Sequence, residues 1–166
     1  MNFVYAALPT RVIFGRGKIT EAAAEAKRLG IKRPLVITTA HQADAGLELV
    51  KTTGGVAFAG AAMHTPVSVT QNALAMAQSE GCDGTIAFGG GSSTGLGKAI
   101  ALRTDWPQLV VPTSYAGSEM TNILEPDRPR LRSLVRQEGE DASAAGFAEL
   151  AKALGIWLNI GSLALR

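Results

Sequence analysis

The chain has 166 residues, 46% of them apolar and 18% charged, which is enough to bury one sizeable core and too apolar for a disordered segment. A net charge of +2 is too small to indicate a nucleic-acid partner. One cysteine, Cys82, excludes an internal disulfide framework, and with no charged-then-apolar leader and no apolar run of about 18 residues the expectation is a soluble, cytoplasmic protein without a membrane partner.

Residues 18–29 read as an alanine-rich helix stopped by Gly30, and Leu35-Val36-Ile37-Thr38 as a buried strand. Residues 45–51 form a short helix ended by Gly54-Gly55, and residues 56–61 a second strand. Residues 67–79 carry Ala73, Met76 and Ala77 at helical spacing, with Gly81 as the stop and Cys82 as a small apolar residue at the helix end. A strand at 85–88, a glycine turn, a helix to Arg103 and a strand at 109–111 follow. Nearly all-apolar strands alternating with helices predict an α/β fold, a Rossmann-like, mostly parallel sheet covered by helices on both faces. Ligands of such sheets sit at the carboxyl ends of the strands, so the loops after Thr38, Phe88 and Val111 share one edge.

The run Gly89-Gly90-Gly91-Ser92-Ser93-Thr94-Gly95-Leu96-Gly97-Lys98 is the most informative stretch. A strand that turns through glycines into a helix leaves main-chain N–H groups unpaired at the positive end of the helix dipole. That is a seat for phosphate. Three glycines let a diphosphate approach without meeting a Cβ atom, and Ser92 to Thr94 add hydroxyl donors. The G-x-G-x-x-G fingerprint fails at Thr94, and the P-loop pattern fails at Ser92 and Ala99.

The run resembles instead the GGGS-x-x-D-x-x-K signature of the iron-containing alcohol dehydrogenase family, most closely its maleylacetate reductase branch, in which the aspartate is commonly glycine, as Gly95 is here. Three further stretches resemble that family: Phe3-Val4-Tyr5 to Gly17, similar to its opening N-terminal hairpin; Pro66-Val67-Ser68-Val69 to Gly84; and Pro112-Thr113-Ser114-Tyr115-Ala116-Gly117-Ser118-Glu119, similar to its P-T-T-x-x-G-S-E loop. The resemblance implies an NAD(P)-binding domain over residues 1–124.

By that resemblance Gly89, Gly90, Gly91 and Ser92 hold the diphosphate of NAD(P)H. Thr113 and Ser114 reach toward the diphosphate and the nicotinamide ribose, while Tyr115 and Ser118 line the nicotinamide side. Lys98 either contacts the cofactor or snorkels to solvent. Thr39 stands where NAD-preferring folds carry an acid for the ribose 2′-hydroxyl; without a carboxylate there, NADPH is not excluded.

Beyond Leu124 the texture changes. Residues 125–140 open with the charged two-proline segment Glu125-Pro126-Asp127-Arg128-Pro129-Arg130 and read as a linker. Residues 141–166 read as a helical tail: Asp141 caps a helix with Phe147, Leu150, Ala151 and Leu154 on one face and Gly155 as its stop. Resemblance to a later part of the family's all-helical second domain makes this tail a remnant, with most of that domain missing. The family's metal ligands, an aspartate and several histidines, belong to that domain. His41 and His64 match none of them and read as exposed loop residues, so no metal is expected in this chain.

The implied activity is that of an oxidoreductase of the maleylacetate reductase type, in which hydride from NAD(P)H reduces the carbon-carbon double bond of maleylacetate to 3-oxoadipate in aromatic-compound breakdown. The alternative is an NAD(P)-binding fragment without turnover. Dehydroquinate synthase shares the architecture, but the Gly117-Ser118-Glu119 loop argues against it. The expected partners are the dinucleotide, a small carboxylic-acid substrate and, because a domain-facing surface is left bare, further copies of the chain as a homo-oligomer.

Overall fold

The computed structural model describes residues 11–114 and 118–120, together with the backbone of 157–162. Its strands are β1 (Arg11–Gly15), β2 (Pro34–Ile37), β3 (Val56–Phe58), β4 (Gly84–Gly89), β5 (Gln108–Pro112) and β6 (Trp157–Ser162). Its helices are α1 (Ala22–Arg28), α2 (Ala43–Thr53), α3 (Val67–Ser79) and α4 (Gly91–Thr104), with 3₁₀ turns at Lys18–Glu21, Ala40–Gln42 and Ser118–Met120. Among the described residues the six strands form one all-parallel sheet in the order β1-β6-β5-β4-β2-β3.

The strand patterns explain why helices cover both faces. Successive strand residues point to opposite sides. Val36, Ile86, Phe88, Leu109 and Val111 pack with Ala22 and Ala26 of α1 and Leu49 of α2. Their neighbours Leu35 and Ile37 pack on the other side with Ala73 and Ala77 of α3 and Leu96 and Ile100 of α4, while Ala87 and Val110 meet Ala101 of α4. The sheet is doubly wound, as the alternating pattern predicts.

From β2 the chain runs outward to β3, then crosses back so that β4 pairs with β2 on its other edge. The order reverses between β2 and β4, and sheets of this kind bind ligands outside the carboxyl ends of the strands at such a point. Gly55 allows the turn into β3. Its φ is +81°, and a Cβ there would lie 2.9 Å from the carbonyl carbon of Pro34.

The structure differs from the sequence expectations in three elements. The first helix begins as a 3₁₀ turn, Lys18–Glu21, after Gly17 in a left-handed conformation, and turns α-helical only at Ala22. The strand expected at 56–61 ends at Phe58, although the Ala61 N–H still donates to the Thr38 carbonyl at 3.0 Å. The tail expected as helical over 141–166 contains a strand instead, β6, whose backbone sits between β1 and β5. Trp157, Leu158 and Ile160 favour a pleated strand, and the position satisfies main-chain groups on the facing edges of β1 and β5. The helix expected at 141–154, the linker at 125–140 and the first arm of the N-terminal hairpin, Phe3-Val4-Tyr5, lie outside the described residues. The proposed second arm is β1, which runs parallel to β6.

One ion cluster ties β1 to α1. Glu25 is only 6% exposed and accepts from Arg28 Nε at 2.7 Å and from Arg11 Nε and an Arg11 terminal nitrogen at 3.3 Å each. Burial, the largest influence, pushes its pKa up, but the hydrogen bonds and charges of Arg28 and Arg11 together hold it below the ordinary value of 4.5. A depressed carboxylate contributes stability that is fully present above the unfolded pKa and is lost as the pH falls through the folded one. Glu25→Gln should therefore cost on the order of 1 kcal/mol at neutral pH, and the gap to the parent should close below about pH 4.5. Urea melts across that range test this, and a constant gap would show that packing, not charge, accounts for the loss.

Candidate functional site

The glycine turn is built where β4 meets α4. Gly89 closes the strand with φ +142°, outside the range an L side chain readily adopts, and a Cβ there would lie 2.5 Å from Ser93 Oγ and 2.9 Å from Gln42 Oε1. Gly90 caps α4 without any side-chain hydrogen bond. The first N–H to find an acceptor within the helix is that of Thr94, which donates to the Gly90 carbonyl at 3.1 Å. The N–H groups ahead of it have no acceptor within the helix, at the positive end of a 14-residue helix. Ser93 Oγ, fully buried beside Gly89, also has no hydrogen-bond partner among the described residues. Gly91 is exposed and Ser92 half-buried, so the mouth of this cradle is open.

The loop after β5 lies against it. The Thr113 N–H donates to the Gly89 carbonyl at 3.0 Å, and a Cβ at Gly90 would come within 2.8 Å of Ser114 Oγ. Both Thr113 and Ser114 expose their side chains. Thr39 is half-buried at the start of the turn Ala40–Gln42, just past β2, and its carbonyl accepts from the Gln42 N–H at 3.0 Å. Lys98 does not snorkel: it is fully buried, with Nζ 3.2 Å from Ser118 Oγ. The structure thus brings Thr39, Gly89, Gly90, Gly91, Ser92, Thr113 and Ser114 to one edge of the sheet, with Lys98 and Ser118 joined beneath it. Tyr115 lies outside the described residues.

Gln42 escaped the sequence reading. Its Nε2 donates to Thr113 Oγ1 at 3.0 Å, bridging the loops after β2 and β5 across the end of β4. Its one sequence signal is a position five residues past the last residue of a buried strand, at the ligand edge. Sequence shows Ser93 only as a hydroxyl donor; that its hydroxyl is fully buried, with no partner among the described residues, is a tertiary fact.

The other residues weighed from sequence are in plain surroundings. His41 and His64 are exposed, as expected of loop histidines. Cys82 is buried after α3, and burial raises its thiol pKa above the ordinary 9.0, which suits a packed small residue rather than a nucleophile. Among the described residues no group of three or more His, Cys, Asp and Glu side chains is placed to hold a metal ion. No described helix is long and apolar enough to cross a membrane.

The family model for iron-containing alcohol dehydrogenases matches residues 9–125, well over half of the chain. The chain belongs to the iron-containing alcohol dehydrogenase family. Within that family it is similar to the maleylacetate reductase of Rhizobium sp. (strain MTP-10005), with 51% identity over 125 residues that cover 74% of this chain and 36% of the relative. The crystal structure of maleylacetate reductase from Agrobacterium tumefaciens superposes with a TM-score of 0.77 at 35% identity, covering 98% of this chain and 43% of that one. This iron-containing alcohol dehydrogenase chain therefore spans roughly a third of the length of the curated relative. The fold is also that of sulfoacetaldehyde reductase from Bifidobacterium kashiwanohense in complex with NAD+, at a TM-score of 0.71 and 20% identity over 98% of this chain and 46% of that one.

Proposed function

We propose that this chain forms the dinucleotide seat of an NAD(P)H-dependent reductase of the maleylacetate reductase type. The observation that carries the reading is the cradle at the start of α4. Its cap is a glycine without a side-chain bond, a Cβ at Gly89 or Gly90 would crowd the turn, and a buried hydroxyl lies beside it without a partner among the described residues. Those features fit a diphosphate: main-chain donors at a helix N-terminus with space for close approach. The 51% identity to a maleylacetate reductase supports the choice of substrate.

In this reading the amides of Gly91 and Ser92 hold the diphosphate and the Ser92 hydroxyl adds a donor. Thr113 and Ser114 hold the ribose on the nicotinamide side, and Tyr115 and Ser118 line the ring. Thr39 faces the adenosine ribose. When bound, NAD(P)H supplies the hydride that reduces the carbon-carbon double bond of the substrate. The main-chain donors fix the cofactor without reorganising, which is how a protein lowers a barrier whose chemistry belongs to the cofactor. The described residues do not fit a metal site, and none of these roles involves one.

Oxidation of NADH or NADPH followed at 340 nm, with and without maleylacetate, tests the proposal. Maleylacetate-dependent oxidation supports the reductase, whereas saturable NADH binding without turnover favours the second reading, a dinucleotide-binding chain. Absence of binding to either nucleotide would remove both.

Cofactor choice gives a second test. Because no carboxylate stands at Thr39, the 2′-phosphate of NADPH meets no repulsion there. Thr39→Asp should weaken NADPH by about tenfold or more relative to NADH, since a carboxylate accepts from a 2′-hydroxyl and repels a phosphate. Equal loss for the two nucleotides would place Thr39 away from the ribose.

A further inference from the structure

Lys98 is the largest fully buried side chain in the described structure. Burying an ammonium group costs several kcal/mol unless a partner offsets it. The elements packed on α4 are β2, β4, β5, α3 and the turn Ser118–Met120. The segments Pro34–Ile37, Val67–Ser79, Gly84–Gly89 and Gln108–Pro112 contain no acid or base. The turn brings Glu119, which is 5% exposed and whose charge favours the ammonium form of Lys98. Its neighbour Ser118 places Oγ 3.2 Å from Lys98 Nζ.

Ser118 and Glu119 belong to the segment that follows Thr113 and Ser114, while Lys98 itself lies two turns along the helix that begins at Gly91. We propose that Lys98 is a positioning residue that fastens the Ser118–Glu119 turn to α4, so that the glycine turn and the loop after β5 are presented to a dinucleotide as one rigid surface. The lysine acts through Ser118 and Glu119 and need not touch the cofactor. This rests on the dinucleotide reading for its consequence, but the fastening itself is a property of the chain alone.

Burial lowers the Lys98 pKa from 10.5 to about 8, with Glu119 opposing the fall. Because that pKa lies below the ordinary one, the packed form gains over any opened form that returns Lys98 to water as the pH rises from about 8 toward 10.5, and the fastening should tighten over that range.

The test uses the full chain as the parent and as the variants Lys98→Met and Glu119→Gln, each first checked for a cooperative melt. Amide hydrogen exchange of the peptide covering residues 113–120 is measured without ligand across the pH range around 8, after correction for intrinsic rates. Both variants should exchange there about tenfold faster than the parent at pH 7, while β4 and β2 stay protected. The parent should gain protection there as the pH rises through 8, and folded Lys98→Met should show no such step. Unchanged exchange of 113–120 in both variants, or the same pH step in Lys98→Met, would overturn the proposal. If Lys98→Met does not fold, Glu119→Gln decides alone: parent-like exchange overturns the proposal and faster exchange upholds it. NADH titration of the same proteins separates the two readings. Faster exchange with no NADH binding even by the parent leaves the fastening standing and removes the dinucleotide reading. Faster exchange with weakened NADH binding supports both.

Discussion

Gly90→Val should reduce NADH affinity at least about a hundredfold, the equivalent of losing two charge-assisted hydrogen bonds to a diphosphate. The side chain would project where Ser114 Oγ closes the cradle, 2.8 Å from the Cβ position. The backbone can accept it. Gly90 has φ −90° and ψ −153°, an extended conformation open to valine, and the neighbour it meets is exposed and free to rotate. The cost to folding should stay below about 1 kcal/mol. Fluorescence titration with NADH, beside a thermal melt, separates the two effects. A variant that melts like the parent and binds NADH equally well would show that the glycine turn is not the diphosphate seat.

Gly97→Ala should destabilise the fold by about 2 kcal/mol and weaken the nucleotide with it. In an exposed helix the same change stabilises by about 1 kcal/mol, because glycine is the more flexible chain. Here the added methyl would run into the Gln108 side-chain amide, with Cδ 2.9 Å away, and would lie 3.4 Å from the Ala87 methyl. Gln108 is fully buried, and its Nε2 reaches the Thr94 carbonyl at 3.4 Å, so it has little room to give. The remaining way to relieve the contact is to lift α4 off β4 and β5, which moves Gly91 and Ser92. Gln108→Ala in the same chain should recover most of the loss, since it removes the obstacle. A double variant whose loss is the sum of the single ones would show that the two residues are not in contact. Urea melts of the four proteins give that cycle.

Much of the architecture was legible because it depends on short-range patterns. The apolar runs at Leu35 to Ile37, Ile86 to Phe88 and Leu109 to Val111 are long enough only for strands, and each is followed by a turn signal. Residues 67–79 gave a helix with the observed bounds, Val67–Ser79, because a proline before it and a glycine after it leave little freedom. The glycine turn could be placed between strand and helix for the same reason. The strand Trp157–Ser162 was not legible. Its pairing partners, Arg11–Gly15 and Gln108–Val110, are distant in the chain, and nothing within the segment itself announces which edge it will join.

The site divides along the same line. Sequence alone determined the donor-rich turn at Gly89 to Ser92, the loop at Thr113 and Ser114 and their common edge, since each is a local consequence of where a strand stops. Tertiary structure alone decided which polar groups meet. Gln42 reaches Thr113 across 71 positions, Glu25 gathers Arg11 from 14 positions away, and Lys98 is buried against Ser118 rather than reaching solvent. Periodicity specifies the face a residue occupies, but a hydrogen bond needs an approach of about 3 Å, and only the packing of helix on sheet brings distant groups that close.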